Sequence, residues 1–220
     1  MPPSLADHIA TYRRAEWAAD AVVHVVGLAF GLAACIAIAV LAIPQAGALR
    51  LASLGLYGFG LVAMLGCSAL YNLSGSAVWK GVFRRLDHAA IFLMIAGTYS
   101  PFALIVMGGG WGRGVFLFVW AMALCGVAMK LLLPLRFERL SVAIYLLLGW
   151  TILVAFNPLV AGASLPALVL LIAGGGLYSL GVIFHLWERL PYQNAIWHVF
   201  VLAAAACHFT AILLDVAIVA

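Results

Sequence analysis

The chain has 220 residues, of which 67% are hydrophobic and only 8% are charged, and its mean hydropathy is +1.20. It has too little polar surface to cover a water-soluble globule, so the composition predicts an integral membrane protein. The formal net charge of +4 does not indicate a nucleic-acid partner, because the basic residues lie in short clusters between apolar runs, as topology signals do.

The apolar runs predict an all-α membrane bundle of seven spans, since a bilayer core is crossed by about 20 predominantly apolar residues. The runs are residues 22–43, 50–71, 87–107, 112–133, 140–157, 164–185 and 196–219. Helix-breaking residues at or beside the breaks support this division: Pro44 and Gly47, Ser74-Gly75-Ser76, Gly108-Gly109-Gly110, Pro134, Pro158 and Pro191. We expect a single domain over residues 1–220, with residues 1–21 as a cytoplasmic segment. Because no cleavable leader is visible, the first span should serve as the insertion signal.

The basic residues predict the orientation of these spans. Nine of the 11 fall in segments that would share one side of the membrane, namely Arg13, Arg14, Lys80, Arg84, Arg85, Lys130, Arg136, Arg139 and Arg189. The other side has only Arg50 and Arg113. Since basic residues are enriched on the cytoplasmic side, we expect a cytoplasmic N-terminus and an external C-terminus.

With this orientation, polar residues of several spans lie at about one depth near the cytoplasmic side. In chain order they are Asp20 and His24, Ser68 and Asn72, Asp87 and His88, His185, and Asn194 with His198. Three of these pairs are four residues apart, so each pair shares a helix face. His208 continues the stripe of the seventh span toward its middle. Polar residues inside spans usually face the bundle and mark a site, although a wetted helix cap at Asp87 and hydrogen-bonded packing of a histidine such as His208 are the alternatives.

These residues occur in segments that resemble the hemolysin III family, whose eukaryotic relatives are the adiponectin and progestin receptors. The segments are Ser68-Ala69-Leu70-Tyr71-Asn72, Leu86-Asp87-His88 with Gly97-Thr98-Tyr99-Ser100-Pro101-Phe102, and Ile196-Trp197-His198 with Cys207-His208-Phe209. Glu16, Asp20 and His24 resemble its amino-terminal signature of acid, amide and histidine, with Asp20 in the amide position. The resemblance implies seven membrane-spanning helices and a cytoplasmic N-terminus.

The resemblance also implies a zinc ion near the cytoplasmic side, held by three histidines, with a water between the metal and an aspartate that matches Asp87. Of those three positions only His198 is a histidine here, because Asn72 and Asn194 occupy the others. A neutral amide is a poor zinc ligand, so the two replacements should remove most of the affinity. Either the site is metal-free, which is the favoured interpretation, or it is rebuilt with His88, His185 or His24.

Two functions of different classes follow from the resemblance. The first is a non-catalytic or lipid-sensing membrane protein with a role in membrane homeostasis, whose partners are membrane lipids, with a possible lipid ligand in the bundle, in the plasma membrane of a bacterium. The alternative is a zinc-dependent lipid amide hydrolase like the distantly related alkaline ceramidases. Asp87 would then be the general base, and Ser68 would polarise the transition state. We treat lytic activity as a label inherited with the family name.

Overall fold

The computed structural model describes residues 5–44, 46–76, 78–133 and 138–218. These residues form helices and no strand, and seven helices are long and apolar enough to cross a membrane. We number the main α-helical segment of each span α1 (Leu5–Ala42), α2 (Ala48–Leu73), α3 (Lys80–Pro101), α4 (Gly109–Leu132), α5 (Glu138–Gly149), α6 (Leu165–Leu186) and α7 (Gln193–Ile212). The predicted all-α bundle of seven spans is confirmed.

Three spans continue beyond these bounds with a different helical pitch. A π-helix extends α3 over Phe102–Met107, and another extends α7 over Leu213–Ala217. A 3₁₀-helix, Trp150–Ala155, and a short α-helix, Phe156–Gly162, extend α5. We include these continuations when we refer to α3, α5 and α7 as spans.

The structure corrects two details of the predicted boundaries. Helix α3 begins at Lys80, so Asp87 and His88 lie in its third turn and not in its first. The first turns of α3 are basic, and long basic side chains can reach the membrane interface from a helix end. Pro158 does not separate two spans, since it lies in the first turn of Phe156–Gly162, where proline removes no hydrogen bond of that helix.

Helices α2 and α3 approach each other closely through glycine. A Cβ atom on Gly60 would lie 2.7 Å from the Leu93 carbonyl oxygen, and one on Gly97 would lie 2.8 Å from the Leu56 carbonyl oxygen. Larger residues there would push the two backbones apart. The close approach brings Ser68 of α2 and Asp87 of α3 to the same cavity.

Tyrosine and tryptophan hydrogen bonds hold the irregular part of α5. The Tyr99 hydroxyl donates to the Gly149 carbonyl (2.7 Å) and accepts from the Ile152 N–H (2.8 Å). The Trp150 Nε1–H donates to the Ser179 hydroxyl of α6 at 3.0 Å. The two Tyr99 bonds satisfy backbone groups that a regular helix would pair internally, which permits the change of pitch within a membrane span. The Trp150 bond joins two side chains and connects α5 to α6.

One end of the bundle carries the start of α1, α3, α5 and α7. We call it the basic end, because Arg13, Arg84, Arg139 and Arg189 line a cavity that opens there. At the opposite end, the Asp215 carboxylate accepts hydrogen bonds from the Ser164 hydroxyl (2.6 Å) and the Ser164 N–H (2.8 Å). This pair joins the start of α6 to the end of α7.

Candidate metal and lipid site

Asp20 and His24 lie one turn apart on α1, on the face turned into the bundle. Both are buried, and the Asp20 Oδ2 atom lies 3.6 Å from His24 Nε2. The four-residue spacing gives the two side chains one direction because a helix repeats every 3.6 residues. Helix α1 therefore supplies one carboxylate and one imidazole to the basic end of the cavity.

His198 of α7 completes a compact group with these two residues. Its Nδ1 atom lies 2.6 Å from Asp20 Oδ1, and its ring centroid lies 4.4 Å from that of His24. One ligand atom from each of Asp20, His24 and His198 lies within 4.8 Å of the other two. We call this group the Asp-His-His triad.

The donor set of the triad fits a zinc ion. Zinc is bound by imidazole nitrogen and carboxylate oxygen, and sites with three protein ligands leave a fourth position open. His24 Nε2 is buried and makes no hydrogen bond within the described part of the chain. A bound cation would satisfy that nitrogen and would also compensate the buried Asp20 carboxylate.

Glu16 places the start of α7 against α1. Its carboxylate accepts a hydrogen bond of 2.9 Å from the Tyr192 N–H, and Tyr192 has a left-handed backbone with φ of 57°. Glu16, Asp20 and His24 are spaced by four residues, so one stripe of α1 contacts both the start of α7 and His198. This link fixes the register of the two helices that form the triad.

Asp87 and Ser68 line the same cavity beside the triad. The electrostatic neighbours of the Asp87 carboxyl are His198, Ser68, His24 and Asp20. The two asparagines line the same cavity. Asn72 Nδ2 donates to the Ser68 carbonyl of its own helix at 3.0 Å, and Asn194 lines the cavity without belonging to the triad.

The remaining histidines of the sequence prediction lie outside the triad. The His185 ring packs on Trp197 with centroids 4.9 Å apart, while His88 has basic neighbours. His208 lies about 15 Å from His198 along α7, given a rise of 1.5 Å per residue. Its Nε2 atom is 3.3 Å from the Leu171 carbonyl oxygen, and Gly174 leaves room for its ring.

The triad lies on the wall of a cavity of about 1770 Å³ that extends from the basic end to His208. This volume exceeds the roughly 300–1,000 Å³ typical of small-molecule pockets. Its deeper wall is mainly apolar and includes Met94, Ile95, Phe102, Leu159 and Leu171. The cavity therefore combines a polar end with a long apolar interior, which suits an amphipathic ligand.

Comparison with known proteins identifies the family. The haemolysin-III-related family model matches residues 15–209. The chain belongs to this family. Hemolysin-3 from Bacillus cereus is 36% identical over 198 residues, which cover 90% of this chain and 90% of that protein. The Hemolysin-3 homolog of Bacillus subtilis (strain 168) is 34% identical over 198 residues, covering 90% of this chain and 93% of that protein.

The haemolysin-III-related chain also has animal relatives. The human monocyte to macrophage differentiation factor (Homo sapiens) is 30% identical over 169 residues, covering 71% of this chain and 67% of that protein. The family assignment made from the sequence is thus confirmed. The match reaches all seven spans, because it begins in the first span before Asp20 and ends in the seventh beyond His208.

The structure brings together residues that the sequence placed in separate roles. His198 was expected as the one retained family ligand, His24 as one of three histidines that could rebuild the site, and Asp20 only as another polar residue of the layer. Asp20 was not considered as a ligand. The signal that could have identified it is the four-residue Asp-His spacing on α1, which leaves a carboxylate and an imidazole on one face.

Proposed function

We propose that this haemolysin-III-related protein holds a zinc ion at Asp20, His24 and His198 and binds a membrane lipid in the adjoining cavity of the bundle. Its role would be lipid sensing in membrane homeostasis, in the inner membrane of a bacterium. The observation that carries the proposal is the Asp-His-His triad, whose ligand atoms lie within 4.8 Å of one another. Such a group is rare inside membrane spans unless it has a function.

Of the two interpretations of the sequence, a metal-free site and a rebuilt metal site, we prefer the rebuilt site. The Asn72 amide nitrogen donates to its own helix, and the three ligands of the proposed site come from Asp20, His24 and His198. Asp20 is an anionic ligand in the position where the family pattern has an amide. A bound zinc ion would supply Lewis acidity and a fixed positive charge next to this carboxylate.

Lipid binding is supported by the shape and lining of the cavity. Its volume and apolar wall accommodate an acyl chain, while the polar end accommodates a headgroup beside the triad. Lipid binding needs only the apolar wall and the polar end of the cavity. It does not require a particular proton transfer, so we place it before hydrolysis.

Hydrolysis of a lipid amide is the second candidate, because Asp87 and Ser68 line the cavity beside His198. In that case the Asp87 carboxylate would accept a proton from the attacking water and pass it to the leaving amine. The Ser68 hydroxyl would donate to the carbonyl oxygen of the substrate as charge develops on it. Both groups are within the site, and neither role needs a residue from elsewhere.

Thermal unfolding in the presence of zinc tests the metal part of the proposal. Zinc added back after the metal is stripped with a chelator should raise the melting temperature of the wild-type protein in lipid nanodiscs, since an ion bound only by the folded state stabilises it, by about 2.7 kcal/mol at 100-fold excess over Kd. The shift should vanish in His24→Ala and persist in the control His208→Gln, which alters a histidine outside the triad. A shift that survives in His24→Ala would contradict the site.

Release of fatty acid from a long-chain ceramide separates the two functions. We expect the lipid to bind without turnover. Zinc-dependent release that is lost in Asp87→Asn but kept in Asn194→Asp would instead place the hydrolase first.

A further inference from the structure

Two tyrosine hydroxyl groups lie inside the membrane-spanning part of the bundle, away from the triad. Tyr57 of α2 is 0% exposed, and Tyr178 of α6 lines the cavity together with His208. Both hydroxyl oxygens are buried, and neither makes a hydrogen bond to any residue that the structure describes. A buried hydroxyl group is costly unless it is hydrogen-bonded, so each of these two groups requires a partner.

The two hydroxyl groups are neighbours across the bundle. Tyr57 belongs to an apolar cluster of buried residues, and side chains of α6 and α7, among them Leu171 and Phe209, pack against that cluster. Tyr178 is accordingly an electrostatic neighbour of Tyr57. The two hydroxyls therefore form one polar spot within apolar surroundings, and a single small polar molecule there would serve both of them.

Packing against His208 fixes the position of the Tyr178 ring. The centroids of the two rings are 5.6 Å apart. His208 is in turn held by α6, because its Nε2 atom lies 3.3 Å from the Leu171 carbonyl oxygen. A Cβ atom on Gly174 would overlap the His208 ring, so this glycine makes room for the ring. The Tyr178 hydroxyl is therefore held beside Tyr57 by its own helix and by α7.

Water suits this polar spot by its size and by its hydrogen bonding. A buried water needs two to four polar partners and typically makes about three hydrogen bonds. The hydroxyls of Tyr57 and Tyr178 can each donate and accept, and the thiol of Cys35, a further electrostatic neighbour of Tyr57, is a weak donor and acceptor. The cavity that Tyr178 lines reaches the basic end of the bundle, which gives water a route from solution.

We propose that the hydroxyls of Tyr57 and Tyr178 bind an internal water and that this water bridges two parts of the bundle. Helix α2 packs on α1 and α3, whereas α6 packs on α7. The bridge connects α2 to α6 through hydrogen bonds within the span, and a water-mediated bond is nearly as favourable as a direct one. It thereby sets the separation of two helices that line the cavity. This inference goes beyond the proposed function and depends on neither zinc nor lipid.

Phenylalanine substitutions test the bridge, because the sign of their effect on stability differs between a hydrated and a dry site. With the bridging water, Tyr57→Phe and Tyr178→Phe should each raise the equilibrium constant for unfolding about fivefold, the scale of one lost hydrogen bond. The double variant should raise it by about as much as either single change, since each change alone removes the shared water. Removing a dry, unpaired hydroxyl would instead stabilise the protein.

The matched control combines Tyr57→Phe with Tyr71→Phe. Tyr71 lies about 21 Å from Tyr57 along α2, given a rise of 1.5 Å per residue, so the effects of these two changes should add. Unfolding equilibria in mixed micelles, in the same zinc-containing buffer for every variant, measure both pairs. Stabilisation by either Tyr57→Phe or Tyr178→Phe, or additive effects of these two changes, would contradict the bridge.

Solid-state NMR of the protein in lipid bilayers detects the water itself. Magnetisation that starts on water should reach the labelled ring of Tyr57 several-fold faster than the ring of Tyr99, whose hydroxyl is bonded to the backbone of Gly149 and Ile152. In Tyr178→Phe the transfer to Tyr57 should slow to the rate seen for Tyr99. If Tyr57 in the wild type receives magnetisation no faster than Tyr99, the two hydroxyls hold no exchanging water and the inference is wrong.

Discussion

Among single residues, Glu16 has the most direct structural effect on the site without belonging to it. Its hydrogen bond to the Tyr192 N–H connects α1 to the first residue before α7. His198 follows six positions later in the same helix. A change at Glu16 should therefore alter both the stability of the bundle and the geometry of the triad.

We predict that Glu16→Ala lowers the free energy of unfolding by about 2 kcal/mol, the scale of a hydrogen bond to a charged group, and also weakens zinc binding. The matched control is Glu188→Ala, which removes an exposed glutamate from the loop before α7 and should have little effect on either quantity. Denaturant unfolding in mixed micelles, with and without zinc, measures both. Equal losses in the two variants would show that Glu16 acts only through its charge.

The sequence predicted the depth of the polar residues but not their grouping. Helical spacing pairs Asp20 with His24 within one helix, and this pairing is confirmed. The contact of that pair with His198 depends on how α1 and α7 rotate against each other. No local pattern encodes this rotation, so the triad could be recognised only in the folded bundle.

At the level of helices, α2 and α3 form the most tightly packed pair near the site, and two glycines permit the contact. Small residues let backbones approach where both sides of the interface are apolar. The neighbours of Gly60 and Gly97 are backbone atoms, which cannot rotate away as a side chain can.

We predict that Gly97→Ala destabilises the protein by about 1–3 kcal/mol, because the added methyl group would lie 2.8 Å from the Leu56 carbonyl oxygen. Gly66→Ala on α2 is the control, since no atom lies within 4 Å of its Cβ position, and it should leave stability unchanged or slightly improved. Folded yield and thermal unfolding in detergent measure the difference. A similar loss for both variants would contradict the close approach of α2 and α3.

The number of spans was predictable, but some helix ends were not. Long apolar runs identify membrane helices because the bilayer excludes unpaired backbone groups. The start of α3 at Lys80 could not be predicted in this way, since the first turns of this helix are basic and lack an apolar pattern. The continuation of α5 past Pro158 depends on the hydrogen bonds of Tyr99 with Gly149 and Ile152, which join segments some fifty residues apart.

For the whole molecule, the distribution of basic residues predicts the orientation in the membrane. In a variant without the four native cysteines, a cysteine at Gly47, between α1 and α2, should react with a membrane-impermeant maleimide in intact cells. A cysteine at Gly75, between α2 and α3, should react only after the membrane is opened, because the basic end is expected in the cytoplasm. The reverse pattern would invert the topology.

The orientation in the membrane also determines whether the basic end of the cavity faces the cytoplasm or the outside. If the basic end is cytoplasmic, the triad lies on the side of the inner leaflet, where anionic lipids attract basic segments. The polar end of the cavity and its apolar interior then lie on that side of the membrane, next to the proposed zinc ligands. This arrangement would allow the protein to report the composition of the inner leaflet.

The central claim is that Asp20, His24 and His198 hold a zinc ion, and the zinc content of the purified protein tests it most directly. We predict about one zinc per chain after dialysis for the wild type, as expected for a site with three protein ligands, and almost none for Asp20→Asn. The matched variant Asp87→Asn changes the neighbouring carboxylate in the same way and should retain the metal. A wild-type protein without zinc, or an Asp20→Asn variant that keeps it, would contradict the account.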